Sequence, residues 1–393
     1  MTRGALGIVL ATFFSDVGHE MVTAVLPLYL TSIGLGPAAL GLMEGAADFA
    51  FSLSKLAGGA VGHHVKHKRP LAAAGYGLTA ICTTAIAFAS SPIAIGTLRV
   101  AAWVGRGFRG PLRDFLLADE VESTYFGRAY GVERTADMLG AVAGPLIALA
   151  MLGLGAPIAL VIGVSFVPSL MSALFILGFT RDRVHASEQT GGSTKARSRR
   201  LPRRFWLLVG GVLLFGLSDF SRTFLIFLVA NSLGGNAAHG ALTAGVLAYT
   251  AHNVVSGIAA LPAGRLGDRL PKWKVLVAGY ALGVITNFVL AGAGSTFWGL
   301  TAAVVGSGVY IAVEETVEKA AIAELLPREQ RSLGFGILAS ANAVGDMVSS
   351  LYVGTLLAAG RGSTAFTIAG TIGAIGALWV LLVGRATTPA EQG

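Results

Sequence analysis

Carboxylates, guanidiniums and imidazoles stand inside runs of this sequence that are otherwise strongly apolar, so its chemistry must lie there. Asp16, His19 and Glu20 share one such run. Asp16 and Glu20 are four apart and would be neighbours on a helix. Two carboxylates held together in a low dielectric do not both ionise readily, so the pair can load and release a proton. His19 titrates near neutral pH without help. Asp16, Glu20 and Asp48 are therefore the expected proton-coupling groups. The plainer alternative is that these acids pair with arginines.

A second run holds Glu44, Asp48 and Lys55. At 100° per residue they fall within about 40° on a helix. A charged stripe in a membrane helix faces protein or a water-filled cavity. A third run holds Arg99, Arg106, Arg109 and Arg113, gathered within roughly 80° by the same arithmetic. Arginine forks carboxylates and phosphates, so the partners are the acids of the first two runs, Asp114, or an anionic cargo. His19, Glu44, Arg99 and Arg106 are expected at the cargo. Arg109, Arg113 and Asp114, nearer one end, are expected to gate.

Later runs are less charged near their centres. Asp219 and Arg222 are three apart, so they could pair along a helix. They join His252, Asn253 and Asp346 as expected substrate-binding residues. Glu314 and Glu318 are expected to gate opposite Arg109 and Arg113. Aromatics such as Phe14, Phe51, Phe220 and Tyr310 could line a cavity, although aromatics in spans more often pack or anchor. His63, His64 and His67 cluster in a basic loop, which suits anionic lipid better than a metal.

The elements that carry these residues are long. A membrane-crossing helix needs about 20 apolar residues. Twelve stretches qualify, near 5–31, 37–61, 70–91, 93–117, 128–152, 157–179, 205–231, 240–262, 274–294, 297–320, 333–358 and 364–384. Breakers such as Gly34-Leu35-Gly36-Pro37, Gly153-Leu154-Gly155-Ala156-Pro157 and Gly234-Gly235-Asn236 separate them. Hydrophobic residues make up 54% of the 393 and charged residues 13%, against about 25% charged in soluble domains. The +8 charge is spread over alternate loops beside the spans, which argues for membrane orientation and against nucleic acid. Lys and Arg concentrate in those loops, so both termini are expected in the cytoplasm of a cell inner membrane. The first run continues past signal-peptide length, so no cleavable signal is expected. Cys82 is the one cysteine, which excludes an internal disulfide and a cysteine metal cage.

The chain also repeats itself. Gly59-Ala60-Val61-Gly62 precedes Gly264-Arg265-Leu266-Gly267 by 205 positions (264 − 59). The same offset relates Asp48 to Asn253, Tyr130-Gly131 to Phe335-Gly336, and Arg109 and Arg113 to Glu314 and Glu318. Opposite signs at equivalent places suggest a charged latch. The expected organisation is a six-helix bundle over 1–180, a Ser/Gly/Arg-rich linker over 181–204, and a second bundle over 205–393. Parallel halves of this kind are one transporter plan.

The run Gly264-Arg265-Leu266-Gly267-Asp268-Arg269-Leu270-Pro271-Lys272-Trp273-Lys274 resembles the loop signature of the major facilitator superfamily. The stretch from Phe14 through Pro145 is similar to one bacterial branch of it, on Ser15-Asp16, Glu20-Met21, Gly105-Arg106-Gly107-Phe108-Arg109 and Pro111-Leu112-Arg113-Asp114. The resemblance implies an all-α membrane protein of twelve spans in two pseudo-symmetric bundles. It also implies alternating access, and a gating role for Asp268 and Arg269. One departure stands out: His63 occupies the place of the acid in the first-half copy of the signature. Gly140 to Pro145 resembles the fifth-span signature of exporters that exchange cargo for protons, with Ala148 where a small glycine cluster is expected.

The leading expectation is a monomeric, proton-coupled exporter of a small organic molecule, with no cofactor. A divalent-metal carrier using Asp16, His19, Glu20, Asp48 and His252, and an organic-anion carrier using Arg99 and Arg106, are the alternatives. No nucleophile–base arrangement, phosphate loop or metalloprotease spacing stands in a context that suits an enzyme.

Overall fold

The computed structural model describes the backbone of residues 1–35, 37–182, 200–233 and 238–387, and omits the side chains at 37, 38, 41, 231, 233, 238–243 and 387. Most of the expected linker and the turn at 234–236 lie outside the described residues. Fourteen α-helices account for nearly all the described chain. They are α1 (Arg3–Ser32), α2 (Pro37–His64), α3 (Lys68–Ala85), α4 (Pro92–Glu120), α5 (Phe126–Gly153), α6 (Ile158–Val164), α7 (Phe166–Phe179), α8 (Arg203–Gly216), α9 (Arg222–Leu233), α10 (Ala238–Arg269), α11 (Lys272–Ala293), α12 (Phe297–Leu325), α13 (Arg328–Ala358) and α14 (Gly362–Thr387).

Local chemistry sets the ends. Thr2 caps α1 by accepting from the Ala5 amide at 3.1 Å, and Pro92 opens α4 at a position whose N–H has no helical partner. Gly155 and Gly360 follow α5 and α13 with φ of 83° and 72°. They are 205 apart, so the repeat extends to turn chemistry.

The twelve spans map onto these helices with two departures. The sixth is α6 and α7, hinged at Ser165. The seventh, expected to be continuous over 205–231, stops being helical over 217–221. Among the described residues, eight helical stretches are long and apolar enough to cross a membrane by length and composition. The spans that fall short are α2, α4, the α8–α9 pair and α13. Three of these carry interior charges, and the other is broken beside one. In α2, α4 and α13 candidate functional residues such as Asp48, Arg106 and Asp346 lower the hydropathy, whereas α8 and α9, at 14 and 12 residues, are each too short alone.

Contacts gather the chain into two compact units. One comprises Met1–Ser123, Ala143–Trp206 and Ile322–Ile337, and the other Thr124–Val142, Leu207–Ala321 and Leu338–Gly393. The first has an apolar core around Met21, Val22, Val25, Leu26, Ile95 and Ile162. Among the described residues the second shows two, around Phe220, Leu290, Leu300 and Phe366 and around Phe215, Leu276, Tyr280 and Val317.

The internal repeat is visible in packing as well as in sequence. In the first unit α2 meets the start of α13 so closely that a Cβ on Gly59 would stand 2.7 Å from Gly336 Cα. In the second unit α10 meets the start of α5, where a Cβ on Gly131 would stand 2.7 Å from Ala260 O and Gly264 abuts Gly127. Adding 205 to Gly59 and subtracting it from Gly336 gives Gly264 and Gly131. Small residues permit this approach in lipid, where packing replaces the hydrophobic drive.

Charged clusters within the spans

In the first unit α1, α2 and α4 bring acids and arginines together. Arg106 Nη2 is 2.6 Å from Asp16 Oδ1, and Asp16 is 3% exposed. Arg99, 1% exposed, donates through Nε and Nη2 to the two oxygens of Glu44 at 2.9 and 3.2 Å, and through Nη2 to Thr23 Oγ1 at 3.3 Å. This bidentate geometry is the strong form of the interaction. The two pairs flank Trp103, whose ring lies 5.3 Å from the Arg99 guanidinium and 5.9 Å from that of Arg106. His19 and Phe51 both meet the same indole edge-on, at 5.0 and 4.9 Å. Trp103, four positions from Arg99 and three from Arg106, shares their helix face, and that spacing was the available signal for it.

Glu20 is half-buried beside α5, where a Cβ on Gly144 would stand 2.8 Å from Glu20 Cβ. Asp48 is exposed within this unit, with Glu44, Arg99 and Lys55 as its electrostatic neighbours. Arg109 donates to Ser15 Oγ at 2.7 Å and lies 3.6 Å from the centre of the Tyr76 ring. Arg113 reaches Asp114 Oδ1 at 2.9 Å.

The second unit is built differently, around the break in the seventh span. Free backbone groups at membrane depth must be satisfied by protein, and here side chains do it. Leu217 O accepts from Tyr352 at 3.0 Å, Ser218 O from Asn287 Nδ2 at 3.2 Å, and Asp219 O from Ser349 at 3.0 Å. The Ser221 amide donates to Ser350 Oγ at 2.9 Å. Ser, Asp and Ser at 218, 219 and 221 offer the backbone local alternatives to the helix, which is why the helix stops there without a proline. That polar trio was the legible signal.

The break corrects the expected helical pairing of Asp219 with Arg222, because no continuous helix joins them. Tyr310 on α12 donates to Asp219 Oδ1 at 2.7 Å. Arg222, at the start of α9, points its Nη1 towards Asn253 Oδ1 at 3.5 Å. A small cleft beside it is lined by Phe220, Asn287, Ser307 and Tyr310. His252 is buried and its Nδ1 is 2.9 Å from Ser307 Oγ. Asp346 is exposed within the unit.

Glu314 and Glu318, expected to gate, are both buried on α12. Glu318 accepts from Tyr280 and, at 2.9 Å, from Asn342. Their neighbours on α12 face α5: Glu315 lies 3.7 Å from Arg134 and Lys319 lies 3.8 Å from Glu133.

At the loop signature, Asp268 accepts from the Gly127 and Arg128 amides at 2.7 and 3.0 Å and lies 3.3 Å from Arg128 Nε. A carboxylate at a helix N-terminus meets both orphan amides and the positive end of the helix dipole. Arg269 is exposed. At the equivalent place in the first unit, His63 Nδ1 stands 2.9 Å from Glu329 O, a contact to a carbonyl where Asp268 meets two amides. Arg328 and Asp119 add an ion pair at that end.

Comparison with known proteins agrees with these features. The family model described as Major Facilitator Superfamily matches residues 8–249 and 217–393. The chain is 26% identical over 346 residues to an uncharacterized protein of Mycobacterium tuberculosis, covering 83% of this chain and 80% of that one. It is 26% identical over 290 residues to the multidrug resistance protein MdtG of Enterobacter lignolyticus, covering 70% and 66%. Its fold matches the outward-facing crystal structure of a bacterial homologue of the iron transporter ferroportin with a TM-score of 0.75 at 16% identity, over 97% of this chain and 99% of that one. Repeated halves, charged spans, the Asp268 cap and the family match lead to one conclusion: this multi-pass membrane protein belongs to the major facilitator superfamily of secondary transporters.

Proposed function

We propose that the protein is a proton-coupled carrier that exports a small organic molecule by alternating access, as a monomer with both termini in the cytoplasm. The observation that carries this reading is the sheltered acid–arginine–aromatic cluster on α1, α2 and α4. Asp16 with Arg106 and Glu44 with Arg99 frame Trp103, Phe51 and His19. Ionisable groups inside a membrane are costly and mark pathways. An indole with aromatic neighbours offers an organic cargo a face to stack on. Protonating Asp16 would loosen its hold on Arg106, which links proton uptake to a change at the cargo. The export direction draws on the partial fifth-span exporter signature and on the similarity to MdtG.

The metal and organic-anion readings have less behind them. Among the described residues no three His, Cys, Asp or Glu side chains converge as a metal site would need. Arg99 and Arg106 each face a carboxylate already, so an anionic cargo would have to displace Glu44 or Asp16.

Inverted membrane vesicles containing the protein test the reading. With ethidium as the probe cation, we expect energised vesicles to accumulate dye and a protonophore to abolish the accumulation. Asp16→Asn should remove the protonophore-sensitive part. Accumulation that survives the protonophore contradicts proton coupling. Should ethidium not be moved, the same assay is run with labelled organic acids and sugars.

A further inference from the structure

The first unit carries a groove that its charged cluster does not explain. Leu71, Ala74, Gly75 and Leu78 on α3 and Val104, Gly105 and Phe108 on α4 line a space of about 310 Å³. Two glycines make its floor. A Cβ on Gly75 would stand 2.9 Å from Gly105 O, and one on Gly105 would stand 2.9 Å from Gly75 O, so the helices meet backbone to backbone. The Thr79 hydroxyl reaches Gly75 O at 2.9 Å and Ala102 O at 3.2 Å. No lining residue has a polar side chain. Such a groove fits hydrocarbon, and a polar group placed in it would lose its hydrogen bonds to water without replacement.

Helix geometry sets the groove apart from the arginines. At 100° per residue Val104 and Phe108 each lie about 160° from Arg106 on α4, and Phe115 lies about 180° from it. Leu78 is 40% exposed and Ala74 is exposed beside it. In a membrane helix the charged stripe faces protein or a watery cavity, and the apolar back faces lipid. From Leu71 to Leu78 α3 rises about 10 Å. That is roughly two thirds of one leaflet's share of the hydrocarbon core.

Positive charge gathers where the groove ends. α3 starts at Lys68, three residues before Leu71. Lys68 Nζ lies 4.3 Å from the centre of the Phe115 ring and donates to Val65 O at 2.9 Å. The Arg328 guanidinium stands 5.4 Å from the same ring. Phe115 shares the groove face of α4, so the loop before α3 crosses α4 on that face. Lys66 in this loop is exposed, and among the described residues it has no ion-pair partner. Asp119 is engaged by Arg328, and Asp182 by the Lys68 and Arg69 amides at 2.9 and 3.1 Å. The internal repeat does not copy the floor: Tyr280 and Tyr310 stand 205 positions after Gly75 and Gly105.

We propose that the α3–α4 groove and the loop before α3 bind one anionic phospholipid. An acyl chain lies along Leu71, Ala74 and Leu78, and the headgroup phosphate sits at Lys66, with Lys68 and Arg328 adding positive charge beside Phe115. Lysine and arginine at the membrane surface attract anionic headgroups, and the groove gives the chain a shaped seat that a smooth helix face lacks. The site uses neither the aromatic cluster around Trp103 nor Asp16, so it stands or falls apart from the transport reading.

Native mass spectrometry of the delipidated full-length protein, titrated with phosphatidylglycerol or phosphatidylcholine of identical chains, tests this. We expect the first phosphatidylglycerol to bind more tightly than the first phosphatidylcholine. Lys66→Gln should weaken that first phosphatidylglycerol by about fivefold and leave phosphatidylcholine unchanged. Lys274→Gln, which removes an exposed lysine near the start of α11, should change neither. Ala74→Phe, which fills the groove, should weaken both lipids. Circular dichroism shows that each variant is folded. Equal first-site binding of the two lipids, equal losses in Lys66→Gln and Lys274→Gln, or unchanged binding in folded Ala74→Phe overturns the proposal. Diacylglycerol of the same chains binding as tightly as phosphatidylglycerol also overturns it, and assigns the groove to neutral apolar molecules.

Discussion

The Tyr310 hydroxyl lies 2.7 Å from Asp219 Oδ1, where the seventh span stops being a helix. This contact ties a buried acid of a broken segment to a continuous helix, α12, which also carries Glu314, Glu315, Glu318 and Lys319. The two units handle charge by different means. In one, Asp16 and Glu44 meet arginines on α4. In the other, Asp219 meets Tyr310 and Glu318 meets Tyr280 and Asn342, while Glu133, Glu315 and Asp268 keep basic partners.

The break depends on its borrowed hydrogen bonds. Asn287→Leu leaves Ser218 O without the Asn287 donor. Interhelical hydrogen bonds in membranes are worth about 0.6 kcal/mol on average and about 1–2 kcal/mol in favourable cases. We expect Asn287→Leu to lower the thermal midpoint of the purified protein, and Leu213→Ile, on the apolar part of α8, to have little effect. Unfolding curves in detergent give the comparison.

The Asp16–Arg106 pair makes a non-additive prediction for single and double variants. Removing one partner of a buried pair costs roughly 3–5 kcal/mol, whereas removing both is often close to neutral. Asp16→Asn and Arg106→Gln should each destabilise the protein, and the double variant should recover much of the loss. Transport should not recover with it. A thermal-unfolding double-mutant cycle beside a flux measurement checks both halves of the statement.

Close approach of α2 and α13 should be intolerant of any side chain at Gly59. Ser332 is fully buried against that contact, so a Ser332→Cys probe should resist a membrane-impermeant maleimide in right-side-out and inverted vesicles. Adding Gly59→Ala should expose it. Equal labelling with and without Gly59→Ala would show that the contact does not shield the residue.

The two helix-start contacts at the repeat-related loops should differ in strength. Asp268 holds two amides and Arg128, whereas His63 donates to one carbonyl. Loss of a capping side chain costs about 0.5–2 kcal/mol. Asp268→Ala should therefore lower the melting temperature more than His63→Ala, and calorimetry of the two variants decides the order.

Much of the fold was legible because its physics is one-dimensional. Span length and apolarity follow from bilayer thickness, and the 205-residue offset linked Gly59 with Gly264 before any packing was seen. Helical arithmetic gathers the four arginines of α4 within roughly 80° of one another. Their partners were not legible, because choosing among Asp16, Glu44, Asp114 and Glu314 needs the angles between helices. The seventh span looked continuous because Phe215, Leu217, Phe220 and Phe224 keep it apolar across the break. Only the Ser218, Asp219 and Ser221 trio hinted at it, and the donors that make a break affordable, Asn287, Ser349 and Tyr352, are far away in sequence. Charge alone drew attention to Glu318, but its partners Tyr280 and Asn342 come from neighbouring helices that a single-span reading does not see.

The most direct test is simultaneous recording of proton and solute movement in sealed proteoliposomes carrying a pH-sensitive dye. The account predicts that a transported organic solute evokes proton movement in the unaltered protein, and that Asp16→Asn moves solute, if at all, without moving protons. Solute flux with no accompanying proton movement in the unaltered protein, unaffected by an imposed pH gradient, would contradict it.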